Sequence, residues 1–590
     1  MPVLFITCQL STLFRVIIDN TALLQYKTEL ALTGNLDGPD THISVATRLQ
    51  RLRSSQNAWK TFGWTKETFG PVLKESCAHI SGSILAQMGS DCTMICSQLP
   101  SLSRNIPYKE RKLASGRFGF EVIEYALDQG QDLLVLVEET ADEEQYFFNL
   151  HLRSLESNVL HPLGSSVKMS APLGTRELQE DCCLDMMISD DYIGMMIYEE
   201  TLLRFTELWI WNWKTGDVKL NVHGNLEHGY SSHSFMFIGT GQLLVPIITT
   251  ADDFDPDAEV KGVLPVFDCA TTRSRPCTYE HALKHYATTV FHLPATRRGV
   301  ECARLDLFGT PYASLPRGAH RKLDVPYYAS PEDQLLAFRL WMLKSTDEWK
   351  HYTLFVSSRT LRDVARTTRL GASRSERTVV VEWDAWASMS RMVPEIRTMH
   401  HAHLSQMRCI IAEPAPSRSH GRKQDVLCLY EFASPLLLRK ELSNPVCPGS
   451  VAGVADLPFY GLGSSEINHL DVWTKPIKTA LPFRKTVSNL EVSQQDGYQI
   501  NEDCIILRSV RPKYVVHLRG MYAAYYRSKA VKAASPRVRM VELSYPAFLK
   551  NYGEKPILDV PAFPYDLQRM GRLYEQGDDK LQRTVRMATK

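Results

Sequence analysis

Apolar residues near the start of the chain have the spacing of one face of an α-helix. Within LSTLFRVIIDN, the apolar positions follow i, i+3, i+4 and i+7, and they are Leu10, Leu13, Phe14 and Ile17. Asp19 and Asn20 then predict the end of this helix, and Thr21 is a candidate N-cap for a second short helix. The pattern therefore predicts a helical start to the chain.

A third helix is predicted in SVATRLQRLRSSQNAWKTFGW. Ser44 can cap it, and apolar residues recur near helical spacing at Val45, Leu49, Leu52 and Trp59. The segment TGNLDGPD before it has the Gly, Asn, Asp and Pro content of a loop. Residues 1–65 are therefore predicted to form a small helical unit.

From about residue 76 the helical spacing gives way to short β-type runs. Three pairs of runs each predict a strand, a turn and a second strand. The pairs are QDLLVLVEE with YFFNLHLRSLESN, MMISDDYIGMMIYEE with LRFTELWIWNWKTGD, and SFMFIGTGQLLVPII with LPVFDCATT.

The second run of each pair is similar in all copies, and LCLYEFASP adds a further one. These segments recur roughly every 60 to 90 residues, a spacing that indicates repeated blades with long inserted loops. Loop inserts such as RTTRLGASRSERT are rich in Arg, Ser and Gly and are predicted to be solvated. The fold class predicted is mainly β, an irregular β-propeller of about seven blades.

Three tryptophans in LWIWNWKTGD alternate along one predicted strand. Because Trp209, Trp211 and Trp213 are spaced by two, their side chains should leave the same face of the strand. Such a face is either buried between blades or forms an aromatic binding platform on the propeller.

Composition limits the classes of function. The chain has 590 residues, 44% hydrophobic residues and a net charge of +1, which gives no electrostatic reason to expect nucleic acid or a membrane surface as partner. Thirteen scattered cysteines and the absence of an N-x-[ST] sequon fit a reducing compartment. No run approaches the roughly 18 apolar residues of a spanning helix. A cytoplasmic or nuclear protein is predicted.

Candidate chemistry is sparse in the sequence. The motifs G-x-S-x-G, G-x-x-x-x-G-K-[ST] and H-E-x-x-H are all missing. The clusters MHHAH and DDFDPDAE lack the spacing of known metal sites, and CTMIC favours buried thiols at Cys92 and Cys96. Bases and tyrosines alternate within residues 511–540, but strand and helix packing explains them better than nucleic-acid binding. No catalytic residue, metal or cofactor is predicted.

Four segments, in their order along the chain, resemble the fungal F-box proteins of the basidiomycete type. They are STLFRVIIDN, LQYKTELALTGNLDGP, SVATRLQRLRSSQNAWKTFGW and QDLLVLVEE. The resemblance is strongest over residues 10–65 and 131–155 and fades over the last 200 residues. It implies an F-box-like helical remnant with a linker helix at 1–65, a degenerate propeller at 66–545, and a C-terminal strand or tail at 546–590.

The resemblance also implies partners. A Skp1-type adaptor would bind the face formed by Leu10, Leu13, Phe14 and Ile17, and the propeller would bind a protein substrate of a ubiquitin ligase. In the family, further apolar segments precede the part that is similar to CQLSTLFRVIIDN, so weak adaptor binding is expected of this chain. Alternatively, the same face packs on Leu49, Leu52 and Trp59. The competing functions are a free-standing propeller scaffold and, third, an enzyme built on a propeller.

Overall fold

The fold is described from a computed structural model. The chain divides into two compact units, Met1–Tyr545 and Pro546–Lys590. The second unit, and with it the predicted C-terminal strand or tail, lies outside the described residues. The structure describes residues 12–39, 42–71, 73, 77–114, 118–142, 145–164, 168–172, 182–199, 206–224, 230–249, 261–272, 275–312, 325–344, 346, 348–372, 377–394, 396, 403–414, 425–432, 458–492, 497–509 and 537–543.

Helices occur where the sequence predicts them near the start of the chain. The α-helices are α1 (Thr12–Asp19), α2 (Ala22–Thr33), α3 (Val45–Lys60), α4 (Tyr279–His285) and α5 (Ser358–Gly371). Ser44 caps α3 as predicted, because its hydroxyl accepts a hydrogen bond from the Thr47 amide. Thr21 occupies the N-cap position of α2, but its hydroxyl donates instead to the Ile17 carbonyl at 2.6 Å.

Short strands make up most of the remaining described chain. Up to residue 224 they are β1 (Asn35–Asp37), β2 (Trp64–Pro71), β3 (Cys77–Ser81), β4 (Ile84–Met88), β5 (Met94–Gln98), β6 (Lys109–Ala114), β7 (Val122–Asp128), β8 (Leu133–Asp142), β9 (Gln145–Ser154), β10 (Met169–Pro172), β11 (Cys182–Ser189), β12 (Tyr192–Glu199), β13 (Thr206–Asn212) and β14 (Val218–Gly224). From there to residue 344 they are β15 (Tyr230–Ser231), β16 (Met236–Gly239), β17 (Gln242–Leu244), β18 (Ile247–Thr249), β19 (Lys261–Asp268), β20 (Cys277–Thr278), β21 (Ala287–His292), β22 (Val300–Gly309), β23 (Tyr327–Ala329) and β24 (Leu335–Lys344). The last are β25 (Trp349–Ser357), β26 (Val379–Val381), β27 (Ser390–Pro394), β28 (Leu404–Ser405), β29 (Arg408–Pro414), β30 (Asp425–Phe432), β31 (Phe459–Gly461), β32 (Ser465–Ile467), β33 (Ile477–Thr479), β34 (Phe483–Val492), β35 (Gly497–Ile500), β36 (Cys504–Ser509) and β37 (Arg537–Leu543).

Within the described ranges, seven sheets contain four or more strands. Sheet 1 holds β3 to β6, sheet 2 β7 to β10, and sheet 3 β11 to β14 with β20. Sheet 4 holds β15 to β19 with β21 and β26, and sheet 5 holds β22, β24, β25 and β27. Sheet 6 holds β28 to β31 with β34, and sheet 7 joins β35, β36 and β37 to β2 from the other end of the chain. Small two-stranded sheets pair β1 with β23 and β32 with β33.

The sheets pack side by side around a common axis. In each sheet, one edge strand lies beside the corresponding edge strand of the next sheet. In order, these edge strands are β3, β7, β11, β16, β22, β28 and β35. Apolar clusters fill the spaces between successive sheets. Sheets 7 and 1 are joined by a cluster containing Leu85, Leu99, Cys504 and Ile506. The protein is therefore mainly β, in a β-propeller arrangement.

Two runs that the sequence suggests as single strands are each interrupted by a tight turn. MMISDDYIGMMIYEE forms β11 and β12, with a turn at Asp190, whose φ is +50°. SFMFIGTGQLLVPII is broken by a turn at Gly241, whose φ is +66°. Asp and Gly are among the residues that accept this left-handed backbone most readily, so the turn fits inside an otherwise apolar run.

Two predicted loops also contain regular structure. The segment RTTRLGASRSERT was expected to be solvated loop, but its first residues belong to α5, which buries Leu361 against sheet 4. Ser357 caps this helix by accepting a hydrogen bond from the Arg359 amide. The loop predicted at TGNLDGPD contains β1, which pairs with β23. In both places tertiary contacts, rather than local composition, determine the structure.

The three tryptophans of the β13 region are buried between sheets 2 and 3. Trp209, Trp211 and Trp213 are 7%, 1% and 0% exposed. The rings of Trp209 and Trp211 stack with centroids 5.5 Å apart, and the Trp213 indole donates to the Asp190 carbonyl at 2.9 Å. A binding platform would require exposed ring faces, so the burial alternative describes these residues.

We expect Trp211→Ala to lower the free energy of unfolding by about 3 to 5 kcal/mol, because it leaves a cavity between two sheets. Urea denaturation measures this change. Trp349→Ala is the matched control, since Trp349 is 48% exposed and its removal should cost much less. A loss below about 1 kcal/mol for Trp211→Ala would contradict the burial described here.

Candidate interaction surface

Helices α2 and α3 pack against each other and against the propeller. Tyr26 and Leu30 of α2 form one apolar cluster with Leu49 and Leu52 of α3 and with Tyr327 of β23. Leu49 and Leu52 of the apolar stripe of α3 are therefore covered by α2 and by β23. We call α1, α2 and α3 the helical unit.

The link between α2 and α3 is fixed to the propeller by backbone pairing. β1 runs antiparallel to β23, with Asn35 opposite Ala329 and Asp37 opposite Tyr327. The next residue, Gly38, approaches the main chain so closely that an added Cβ would lie 2.0 Å from the Val325 carbonyl oxygen. Only glycine fits at this approach.

Asp37 connects the two helices through a polar network. Its carboxylate accepts hydrogen bonds from Tyr26, Lys27 and Arg48, with the Arg48 contact at 3.0 Å. Burial alone would raise the pKa of Asp37, but these donors outweigh burial and hold the pKa below its ordinary value. The Tyr26 hydroxyl shares its one proton between Asp37 at 3.1 Å and the Pro326 carbonyl at 2.7 Å, which ties the network to the propeller.

The end of α3 inserts an apolar anchor between sheets 6 and 7. Ala58, Trp59 and Phe62 are at most 1% exposed and share a cluster with residues of both sheets, including Leu429 and Ile505. The indole N–H of Trp59 donates to the Glu502 carbonyl at 3.2 Å. Burying a ring of this size contributes several kcal/mol, so the end of α3 is firmly attached to the propeller.

Arg408 joins this anchor to a buried charge cluster. Its guanidinium lies 4.6 Å from the centre of the Trp59 ring and donates to Glu431 at 3.0 Å, and Arg484 donates to the same carboxylate. Burial would raise the pKa of Glu431, but Arg484 and Arg408 overcome it, and the pKa is held below its ordinary value. Gln56 of α3 also accepts from Arg408 at 3.3 Å.

A second charge cluster lies where sheets 1 and 7 meet. Arg104 donates to Asp503 at 2.7 Å and forms an ion pair with Glu502 at 2.6 Å. Beside it is a cavity of about 10 Å³, close to the space that one water molecule requires. Its lining is polar and comprises Asn35, Ser55, Gln56, Arg104, Tyr327, Gln406, Arg408, Glu502 and Asp503. The cavity is too small for a metabolite, so this junction serves attachment.

The predicted adaptor-binding residues are only partly described by the structure. Leu10 lies outside the described residues, and Leu13 and Phe14 belong to α1, although their side chains are not described. Ile17 is 43% exposed and its neighbour Val16 is 55% exposed. Adaptor binding by this face stays a prediction.

The other candidate sites are scattered. His400 and His401 and the acidic run 252–259 lie outside the described residues, as does most of 511–540. His403 is buried and stacks on Tyr498 with ring centroids 4.3 Å apart. Within the part of the chain that is described, no three His, Cys, Asp or Glu side chains are grouped as metal ligands. None of the helices described is long and apolar enough to cross a membrane.

Comparisons with known proteins return solved structures of low sequence identity and low TM-score. No protein-family model matches the chain, and no curated protein matches it in sequence. The WD40 domain of SCAP from fission yeast is 8% identical, with 81% of this chain and 98% of that chain covered and a TM-score of 0.28. The N-terminal domain of Nup159 is also 8% identical, with 48% and 72% covered and a TM-score of 0.19. The uncharacterized protein lmo1340 from Listeria monocytogenes EGD-e is 10% identical, with 56% and 82% covered and a TM-score of 0.22.

We expect Glu431→Gln to lower the free energy of unfolding by about 3 to 5 kcal/mol at pH 7, because two arginines lose their shared carboxylate. The pKa of Glu431 is lower in the folded protein than in the unfolded chain. The stability that its carboxylate contributes is therefore fully present above the unfolded-state pKa, and it is lost as the pH falls through the folded-state pKa. The difference between wild type and variant should therefore shrink on acidification, which urea denaturation across a pH series measures.

The control is Glu280→Gln, which changes an exposed carboxylate paired with Lys284. It should alter stability by no more than about 0.5 kcal/mol. An equal loss for Glu431→Gln at all pH values would contradict the assignment of the buried charge cluster.

Proposed function

We propose that this chain is a non-enzymatic protein-interaction scaffold and acts as the substrate receptor of a Skp1-cullin-F-box ubiquitin ligase. The observation that carries the proposal is the rigid attachment of the helical unit to the propeller, with the apolar residues Val16 and Ile17 of α1 left exposed. A receptor must hold its adaptor and its substrate in a fixed relation. The Trp59 anchor and the β1–β23 pairing supply that rigidity.

We also propose that the propeller has seven blades. The closing blade would combine β35, β36 and β37 with β2, so that the two ends of the propeller segment share one sheet. The antiparallel register of β2 and β37, with Thr68 opposite Met540, supports this assignment. So do the apolar clusters on both sides of sheet 7.

Two of the buried cysteines have thiols of low reactivity. Burial raises the pKa of Cys302 to about 12, and burial is also the main cause of a pKa of about 12 for Cys428. Both thiols stay protonated at neutral pH and are poor nucleophiles. Their burial in the sheets agrees with a packing role.

The second candidate function is a free-standing propeller scaffold without a ligase link. This function would use the same arrangement of the helices and the propeller, and the exposed residues of α1 would then bind another partner or none. The two functions differ in one measurable property, which is binding of a Skp1-type adaptor through α1.

The adaptor test adds the two upstream apolar segments of an F-box to the N-terminus and measures binding of a Skp1-type adaptor to this extended chain by calorimetry. We expect a Kd of about 1 μM or tighter. Ile17→Asp and Phe14→Asp should abolish binding in the extended chain, because an unpaired charge would be buried at the interface.

The control is Leu470→Asp, which changes a leucine of the propeller that is 48% exposed. It should leave adaptor binding unchanged. If the extended chain does not bind, or if Ile17→Asp and Phe14→Asp have no effect, the free-standing scaffold is the better description.

A further inference from the structure

The loop between β9 and β10 presents three large aliphatic side chains to solvent. Val159, Leu160 and Leu163 are 59%, 77% and 55% exposed. Single exposed apolar residues are common on protein surfaces, but three within five positions form a local patch of the kind found at interaction sites. We call residues 155–164 the Leu160 loop.

These side chains are exposed on a loop whose conformation is fixed by packing and hydrogen bonds. His161 is 7% exposed, and its Nε2 lies 3.1 Å from the Gln131 carbonyl oxygen while its ring packs edge-on against Trp213 at 5.0 Å. The Leu163 amide donates to His161 Nδ1 at 3.2 Å. This tautomer, with Nε2 as donor and Nδ1 as acceptor, satisfies both ring nitrogens.

Backbone hydrogen bonds fix the rest of the loop. The Ser154 amide donates to the Val159 carbonyl at 2.8 Å, and the His161 amide donates to the Leu152 carbonyl at 3.0 Å. Asn158 takes a left-handed conformation, with φ of +58°, at the turn between them. A partner would therefore meet a preformed apolar surface and would not have to order the loop, which favours affinity.

A basic strand borders the Leu160 loop. Arg111 of β6 donates to the carbonyl oxygens of Leu155 and Glu156. These acceptors are uncharged main-chain groups, so the positive charge of Arg111 is not cancelled by them. Lys109 lies on the same face of β6, two residues away, and is exposed.

The acidic groups at the loop are Asp132 and the exposed Glu156. The Asp132 carboxylate accepts hydrogen bonds from the Ser154 hydroxyl and the Glu156 amide. Arg153, which donates to the Asn158 carbonyl, is a third base, so bases outnumber acids here.

We propose that the Leu160 loop and β6 bind an amphipathic segment of a partner protein whose apolar side chains cover the loop and whose acidic side chains face β6. The apolar anchors supply affinity, and the two bases select against cationic segments. This inference rests on the proposed function as an interaction scaffold and names the chemistry of a partner for the propeller. It does not depend on α1 or on the adaptor.

The test is selection from a displayed library of random peptides on the full-length protein, followed by fluorescence anisotropy with the enriched peptides. We expect enriched peptides to combine Leu, Ile or Phe with Asp or Glu. Leu160→Asp should weaken their binding at least about tenfold, since a central apolar anchor is replaced by a charge. Lys109→Glu should weaken it as well, by a factor that falls with added salt.

Leu370→Asp is the matched control, because Leu370 is 84% exposed at the end of α5. It should leave peptide binding unchanged, and equal melting temperatures of all variants establish that they fold. A library without enriched binders, enriched peptides that are basic, or peptides that bind Leu160→Asp as well as wild type would overturn the proposal.

Two further measurements distinguish other occupants of the same surface. Light scattering detects self-association, and a dimer dissociated by Leu160→Asp would assign the loop to a second copy of the chain. Phosphatidylserine vesicles detect lipid binding, and binding lost in Leu160→Asp would assign it to a membrane. Either result would overturn the proposal, while the adaptor measurement through Ile17 would still decide the ligase link separately.

Discussion

The packing of sheet 7 against sheets 1 and 6 is the contact on which the rest of the propeller depends. Each sheet has two apolar faces, and each face must be covered by a neighbour to avoid exposure to water. Sheet 7 covers sheet 1 on one side and sheet 6 on the other through β35 and β36. The pairing of β2 with β37 adds strands from the two ends of the propeller segment to this sheet. Arg104 and Asp503 then bridge sheets 1 and 7 by an ion pair at the same junction.

The helical unit is attached next to this closing sheet. Trp59 enters between sheets 6 and 7, so its burial depends on the packing of these two sheets, and that packing gains apolar contacts from Trp59. Buried ion pairs around it, such as Arg408 with Glu431, contribute less net stability than their distances suggest because both charges are desolvated. We interpret them as fixing the alignment of the helix with the sheets, since any shift would leave a buried charge unpaired.

Local sequence patterns predicted which helices and strands are present better than they predicted where each one begins and ends. The Ser44 cap, the end of α1 at Asp19 and the antiparallel pair β8 with β9 followed from capping and alternation. The turns at Asp190 and Gly241 were missed even though polar and glycine residues, SDD in one run and GTGQ in the other, interrupt the apolar pattern at these positions. Helix α5 was missed because Arg and Thr dominate its exposed face, although Leu361 and Val364 have helical spacing.

The candidate surfaces were predictable to different degrees. Periodicity identified the α1 face and the shared parity of the three tryptophans, but the choice between burial and exposure for Trp211 required the neighbouring sheet. The buried charges of Arg408 and Glu431 gave no sequence signal, because an isolated Arg or Glu within a strand is usually solvated. Their partners are brought together only by the propeller.

In the Leu160 loop, too, the sequence alone does not distinguish buried from exposed residues. In the sequence, Val159, Leu160 and Leu163 resemble ordinary core residues, and His161 resembles a solvated turn residue. The structure reverses these positions, since His161 is buried against Trp213 while the three aliphatic side chains face solvent. Trp213 is fixed in turn by its bond to the Asp190 carbonyl, so the packing between sheets 2 and 3 sets the orientation of the loop. An apolar surface held in this way is preformed by contacts with the core beneath it, and such preorganisation lowers the entropy cost of binding at a recognition surface.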